Sequence, residues 1–182
     1  MIGILLLIIF LLAFYNGARR GTALQGIHLI GFIVTLLFAK NMYSEIGKKI
    51  ELYVPYMSVT ENTKMVFFTQ QQSFDLDHSF YAAFAYISIV IVGWLLVKFI
   101  AIFFTGLRYM KAFGKYDWVV SGLINVMMIY LLVFFVLFLL ALVPIDALQN
   151  FFSPGTLGYH IFKNSPILSN YYYQLWITNI IG

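Results

Sequence analysis

The sequence predicts an all-α integral membrane protein of about four transmembrane helices, the first of them short. Three observations carry this prediction. Hydrophobic residues occupy 62% of the 182 positions and charged residues only 10%, whereas an ordinary soluble domain is about 25% charged. The apolar residues gather into four runs. Basic residues crowd the two short connections between those runs, which is the charge bias of a membrane topology. The mean hydropathy of +0.90 agrees.

A helix crossing about 30 Å of hydrocarbon needs roughly 20 residues. The first apolar run, residues 2–15, is short for that and suggests a thinned, tilted or partly inserted helix paired with the second as a hairpin. It has no basic segment before it and no small-residue cleavage pattern after it, so it reads as a retained helix and not as a signal peptide. Gly17-Ala18-Arg19-Arg20-Gly21 follows as a tight basic turn. Two adjacent guanidiniums stay charged and are costly in hydrocarbon, so the chain leaves the bilayer here. Residues 22–39, 80–105 and 118–143 meet that spanning length.

These spans place Arg19, Arg20, Arg108, Lys111 and Lys115 on one side, opposed there by Asp117. The longer segment of residues 40–79 mixes Lys40, Lys48, Lys49 and Lys64 with Glu45, Glu51, Glu61, Asp75 and Asp77. Short basic loops mark the cytoplasmic side. The expectation is therefore a bacterial cell-membrane protein with both termini extracytoplasmic. Lys98 sits near the cytoplasmic end of the third span, where its ammonium can snorkel to the interface.

Two external segments, residues 41–78 and 144–182, are expected to be interfacial. Tyr43, Ile46, Ile50 and Tyr53 recur at helical spacing opposite Glu45, Lys48, Lys49 and Glu51, the pattern of an amphipathic helix. After Pro144 the tail is rich in Phe, Tyr and Trp, and is broken at Ser153-Pro154-Gly155 and Asn164-Ser165-Pro166. This predicts short helices and a flat aromatic cap at the outer headgroup layer. Residues 1–182 form one membrane domain on this reading.

Composition also excludes functions. The net charge of +4 is explained by positive-inside placement, so nucleic acid is not an expected partner. The absence of cysteine removes disulfides, thiolate catalysis and cysteine-ligated metal. No nucleophile elbow, phosphate loop or metalloprotease helix is present. No enzyme activity, catalytic residue, metal or cofactor is therefore expected.

Three constellations merit attention. Gly21, Gln25, His28, Gly31 and Thr35 fall on one face of the second span, with Ala23, Ile27, Ile30, Ile33, Val34 and Leu37 opposite. They read either as a packing seam of small and hydrogen-bonded residues or as a hydrated path using His28. At the start of the last span, Asp117 precedes Ser121, Gly122 and Asn125. Asp117 reads as a helix cap, or as the partner of Arg19 or Arg20 in a salt bridge. Finally, Asp75, Asp77, His78 and Ser79 stand before the third span. Asp77 or Ser79 capping that helix is preferred over a metal site completed by His160.

The chain resembles the colicin V production protein (CvpA) family of small bacterial inner-membrane proteins over nearly its full length. The residues that carry the resemblance are the short first helix with Gly17-Ala18-Arg19-Arg20-Gly21, then Leu24-Gln25-Gly26-Ile27-His28-Leu29-Ile30-Gly31. They continue with Gly114-Lys115-Tyr116-Asp117 before the last helix and with the tail elements 153–157 and 164–168. Ser121 and Asn125 stand where the family usually has glycine, so the seam there is either looser or held by hydrogen bonds. The resemblance implies a multi-pass protein associated with production or export of a peptide toxin and, more broadly, with envelope homeostasis. It implies no reaction. Expected partners are the lipid bilayer, a second copy of the chain, and envelope or export proteins. The alternative is a small oligomeric channel or transporter along the polar face of the second helix.

Overall fold

The structure, a computed structural model, describes residues 2–57, 59 and 65–181; Glu61 and Lys64 of the expected external loop lie outside them. The described residues include four helices long and apolar enough to cross a membrane. They are α1 (Ile2–Arg20), α2 (Thr22–Ile50), α4 (Leu76–Ala101) and α5 (Asp117–Ala141), with the short α3 (Gln70–Ser73) before α4. The tail forms α6 (Asp146–Phe151), α7 (Leu157–Lys163), α8 (Pro166–Tyr173) and α9 (Asn179–Ile181).

The first helix differs from expectation. It is not a short run of residues 2–15: it continues through the arginines for 19 residues, about 28 Å at the α-helical rise. Gly17 is helical, and the only break before α2 is Gly21, with φ of 75°. The arginines close the last turn of α1, where their charges meet the negative end of the helix dipole, so the helix has no reason to stop earlier. The five-residue turn shrinks to one residue, a left-handed position that glycine adopts at no steric cost.

The amphipathic segment after residue 39 is helical as the last three turns of α2, which runs unbroken for 29 residues to Ile50. Downstream, α4 passes into a 3-10 helix at Ile102–Tyr109, kinked at Phe104 (φ −109°, ψ 15°). A further 3-10 turn, Gly114–Tyr116, leads into α5. Ile30, Ile33, Val34 and Leu37 of α2 are exposed, as lipid-facing side chains are.

Packing divides the chain into two compact units, Met1–Ala39 with Ile89–Val133, and Lys40–Ser88 with Phe134–Gly182. The first is held by small residues and polar bridges, described below. The second has an aromatic core. Phe135 lies 4.8 Å from Tyr172, and Phe138 lies 5.0 Å from Trp176, in edge-on geometry that favours ring edge against ring face. Tyr86 joins the same cluster against Trp176 at 5.3 Å.

The tail is thus not a flat aromatic cap. Phe152, Phe162, Tyr172 and Trp176 are buried: the last three pack on rings of α5 and Phe152 on Phe67 at 5.8 Å, contacts that remove apolar ring surface from solvent. The helices break where expected: Gly155 takes φ of 93°, and Pro166 starts α8. Gln149 ties the tail to the end of α5. Its Nε2 donates to the carbonyls of Ala141 and Val143 (3.1 and 2.9 Å), and its Oε1 accepts from Val66 N–H at 3.0 Å. Those carbonyls fall in the last turn before Pro144, where the helix leaves acceptors without partners. The Tyr56 hydroxyl donates to Leu142 C=O at 2.7 Å, and burial raises its pKa.

Candidate functional site

The first unit contains the signature residues, and its geometry begins with small side chains. Gly17 of α1 faces α5 so closely that a Cβ would lie 2.6 Å from both Asn125 Cβ and the Ser121 carbonyl oxygen. One turn away, a Cβ on Gly122 would lie 2.6 Å from the Phe14 ring. Glycine in α1 and glycine in α5 therefore let two helix backbones approach, as small residues do between membrane helices.

Hydrogen bonds cross the same seam. Ser121 Oγ donates to Gly17 C=O at 2.5 Å, and Asn125 Nδ2 donates to Ala13 C=O at 2.6 Å. Both donors are spaced i, i+4 on α5, and both acceptors i, i+4 on α1, in reverse order. That is the match expected of antiparallel helices in register. Ser121 and Asn125, which depart from glycine, thus supply polar bridges without opening the seam.

Asn125 also binds α2. Its Oδ1 accepts from Gln25 Nε2 at 3.2 Å, and the same nitrogen lies 3.4 Å from Met128 Sδ. Gln25 is fully buried, and its Oε1 has no hydrogen-bond partner among the described residues. His28, also buried, is turned back on its own helix with Nδ1 3.0 Å from Leu24 C=O. Thr35 donates to Gly31 C=O at 2.9 Å. Gly31 sits against Val97, and Thr35 sits against Gly93, where an added Cβ would lie 2.2 Å from Thr35 Cγ2. The polar face of α2 is thus packed along α4 as well as α5. Phe14, Gly93 and Val97 were not anticipated as seam residues; nothing but an apolar stretch marks them in the sequence.

Asp117 does not pair with Arg19 or Arg20. Its Oδ2 accepts the Thr22 backbone N–H at 2.9 Å, while its Oδ1 accepts the Thr22 hydroxyl and, at 3.3 Å, the Phe113 N–H. Asp117 lies in the first turn of its own helix, yet it caps the start of α2. A helix N-terminus offers unpaired N–H groups aligned with its dipole, and a carboxylate satisfies both without a guanidinium. Gly21 is tucked beside it; a Cβ there would lie 3.2 Å from Asp117 Oδ2 and 3.1 Å from Arg108 C=O.

The arginines face elsewhere. Arg19 lies over the Tyr15 ring at 5.5 Å, and its carbonyl accepts from Arg108 Nε at 2.8 Å. Together with Arg20, Arg108 and Tyr109 it lines a recess of about 400 Å³. Lys98 lies nearby on α4, its Nζ 3.4 Å from the Trp94 ring centroid.

In the second unit, the expected acidic group is arranged differently. Helix α4 begins at Leu76, so Asp77 and Ser79 are inside it and neither caps it. Asp77 Oδ1 accepts the N–H of His78 at 2.8 Å. Asp77 and His78 meet Glu51, with ligand atoms within 4.8 Å of one another, and neither Asp75 nor His160 belongs to the group. His78 Nδ1 lies 3.8 Å from Glu51 Oε2 and both side chains are about half exposed. Glu51 was not foreseen, because only the last turn of α2 brings it to the start of α4.

Comparison with known proteins places this architecture. The profile of the family described as "Colicin V production protein" matches residues 2–169. The chain is also 26% identical over 177 residues to a Bacillus subtilis (strain 168) protein named "Uncharacterized transmembrane protein YshB", covering 97% of each chain. No solved structure matches. With the family profile extending from the first turn of α1 into α8, this multi-pass membrane protein belongs to the colicin V production protein family.

Proposed function

We propose that the protein is a non-enzymatic component of the bacterial cytoplasmic membrane. On this reading it supports toxin production and envelope homeostasis by contact with other envelope components. One observation carries the proposal: the intramembrane polar groups Ser121, Asn125, His28 and Thr35 are each bonded within the first unit, all four of them to backbone carbonyls. Such groups brace a bundle. What remains open to partners is the basic end of that unit and the exposed surface of the tail, including Ile167 and Tyr171. Basic short connections put that end in the cytoplasm and, with four crossings, both termini outside. Self-association through exposed helix faces belongs to the same reading.

Crosslinking and co-purification from native membranes tests it. Recovery of a reproducible envelope partner, lost on substitution of exposed tail residues, is the expected result; a chain recovered only with lipid overturns the proposal.

The second reading, a small oligomeric channel along α2, is favoured by one feature. Gln25 Oε1, on the face that also carries His28, is a buried acceptor without a partner among the described residues. Proteoliposome flux that His28→Leu abolishes in a folded protein would establish the channel, and an assembled oligomer without flux removes it.

A further inference from the structure

We infer that the recess at the end of α1 is a binding site for the phosphate of an anionic phospholipid. It is lined by Asn16, Arg19, Arg20, Thr105, Arg108 and Tyr109 and holds about 400 Å³. Three arginines line it. Among the described residues no carboxylate lies within 4 Å of an arginine, the ion pair found there being Glu51 with His78. The acid expected to neutralise this end, Asp117, is occupied by Thr22 and the Phe113 N–H.

The donors are also available. Arg108 uses Nε on the Arg19 carbonyl, which fixes the side chain and leaves both terminal nitrogens to donate outward. Arg19 reaches the Tyr15 hydroxyl only at 3.5 Å. Arg20 is half-buried and its guanidinium makes no hydrogen bond among the described residues. A desolvated guanidinium without an acceptor is costly, and a phosphate, which it can grip with two N–H groups, removes that cost. Asn16 and Thr105 add neutral donors.

The surroundings select a lipid over free phosphate. The 3-10 segment that forms one wall leaves Ile102, Phe103 and Phe104 exposed, an apolar surface for acyl chains beside the charged recess. Basic pockets between membrane helices at headgroup level are built to hold anionic lipids in this way.

The test uses the full chain in micelles with equimolar phosphatidylglycerol and phosphatidylcholine, read by native mass spectrometry. Wild type is expected to retain phosphatidylglycerol about ten-fold over phosphatidylcholine. Arg20→Gln is expected to reduce that preference. Because losing an arginine can also impair folding, the deciding pair is Gly106→Glu and Gly106→Gln. Gly106 lines the recess, and a Cβ there meets nothing within 4 Å, so both side chains are accommodated. The glutamate is expected to abolish the preference and the glutamine to keep most of it. Equal retention of the two lipids by wild type overturns the inference, as does a preference that survives Gly106→Glu. Displacement of phosphatidylglycerol by millimolar inorganic phosphate reassigns the site to a soluble anion and overturns the lipid. The readout is lipid retention, so the result stands apart from the envelope-contact proposal.

Discussion

Asp117 Oδ2 accepts the backbone N–H of Thr22 at 2.9 Å across 95 residues of sequence, so one membrane helix caps another. The Thr22 hydroxyl closes the pair on Oδ1. Both residues are buried, and a buried N–H that loses its acceptor costs about 1–3 kcal/mol. Asp117→Ala is therefore expected to destabilise the protein by that amount, measured by unfolding in mixed micelles. Asp117→Asn, which keeps one carbonyl oxygen, should recover part of it. If alanine and asparagine unfold with wild type, the cap is energetically idle.

Gly17→Ala should be costly for a different reason. The added methyl meets backbone and Cβ atoms of α5 at 2.6 Å, and neither can swing away. Overpacking of this kind costs about 1–3 kcal/mol. Gly26→Ala on α2 is the control, since a Cβ there meets nothing within 4 Å. The expected outcome is a lowered melting temperature for the first and little change for the second.

The Gln25–Asn125 bond predicts energetic coupling between α2 and α5. A double-mutant cycle with Gln25→Leu and Asn125→Leu should return roughly 0.6 kcal/mol, the average for hydrogen bonds between membrane helices. Asn125→Leu alone should cost more, because it also releases the Ala13 carbonyl. Strict additivity of the two substitutions would show that the bond contributes nothing.

Alkaline pH should loosen the tail. Burial raises the Tyr172 hydroxyl to about 12 from its ordinary 10.0. A folded pKa above the unfolded one means the protonated form is favoured in the fold. Its contribution is complete below pH 10 and is lost as pH rises towards about 12. Tyrosinate absorbance should lag behind that of the unfolded chain over this window, and Tyr172→Phe should weaken the pH dependence of stability there. A full-strength dependence in Tyr172→Phe would place its origin elsewhere.

Trp176 anchors the aromatic core of the second unit and is wholly buried. Trp176→Ala is expected to cost about 3–5 kcal/mol, while Ile167→Ala, at an exposed position, should be nearly silent. Limited proteolysis of the tail reads both.

Hydrophobic runs and chain breakers are local, and they are legible: four spanning helices, a break between the first two near residues 17–21, and the tail breaks at Gly155 and Pro166 follow from residue type alone, whereas the caps do not. The polar face of α2 was legible as a pattern, since i, i+4 and i+7 positions share a side of any helix. The length of α1 is not legible in this way: paired arginines suggest an exit from the bilayer, although the C-terminal turn of a helix is where such charges are stabilised.

What the sequence by itself determined is therefore the medium and the number of crossings, because transfer into lipid is summed along the chain with little regard to neighbours. Only the tertiary structure decided the pairings. Asp117 is equally able to meet a guanidinium or a helix end, and the choice of Thr22 depends on where the close approach at Gly17 and Gly122 sets α5. The tail aromatics are equally suited to headgroups or to a core, and Phe135, Phe138 and Tyr86 decide for the core by supplying rings at packing distance. Contacts between residues a hundred positions apart depend on geometry that no local pattern contains.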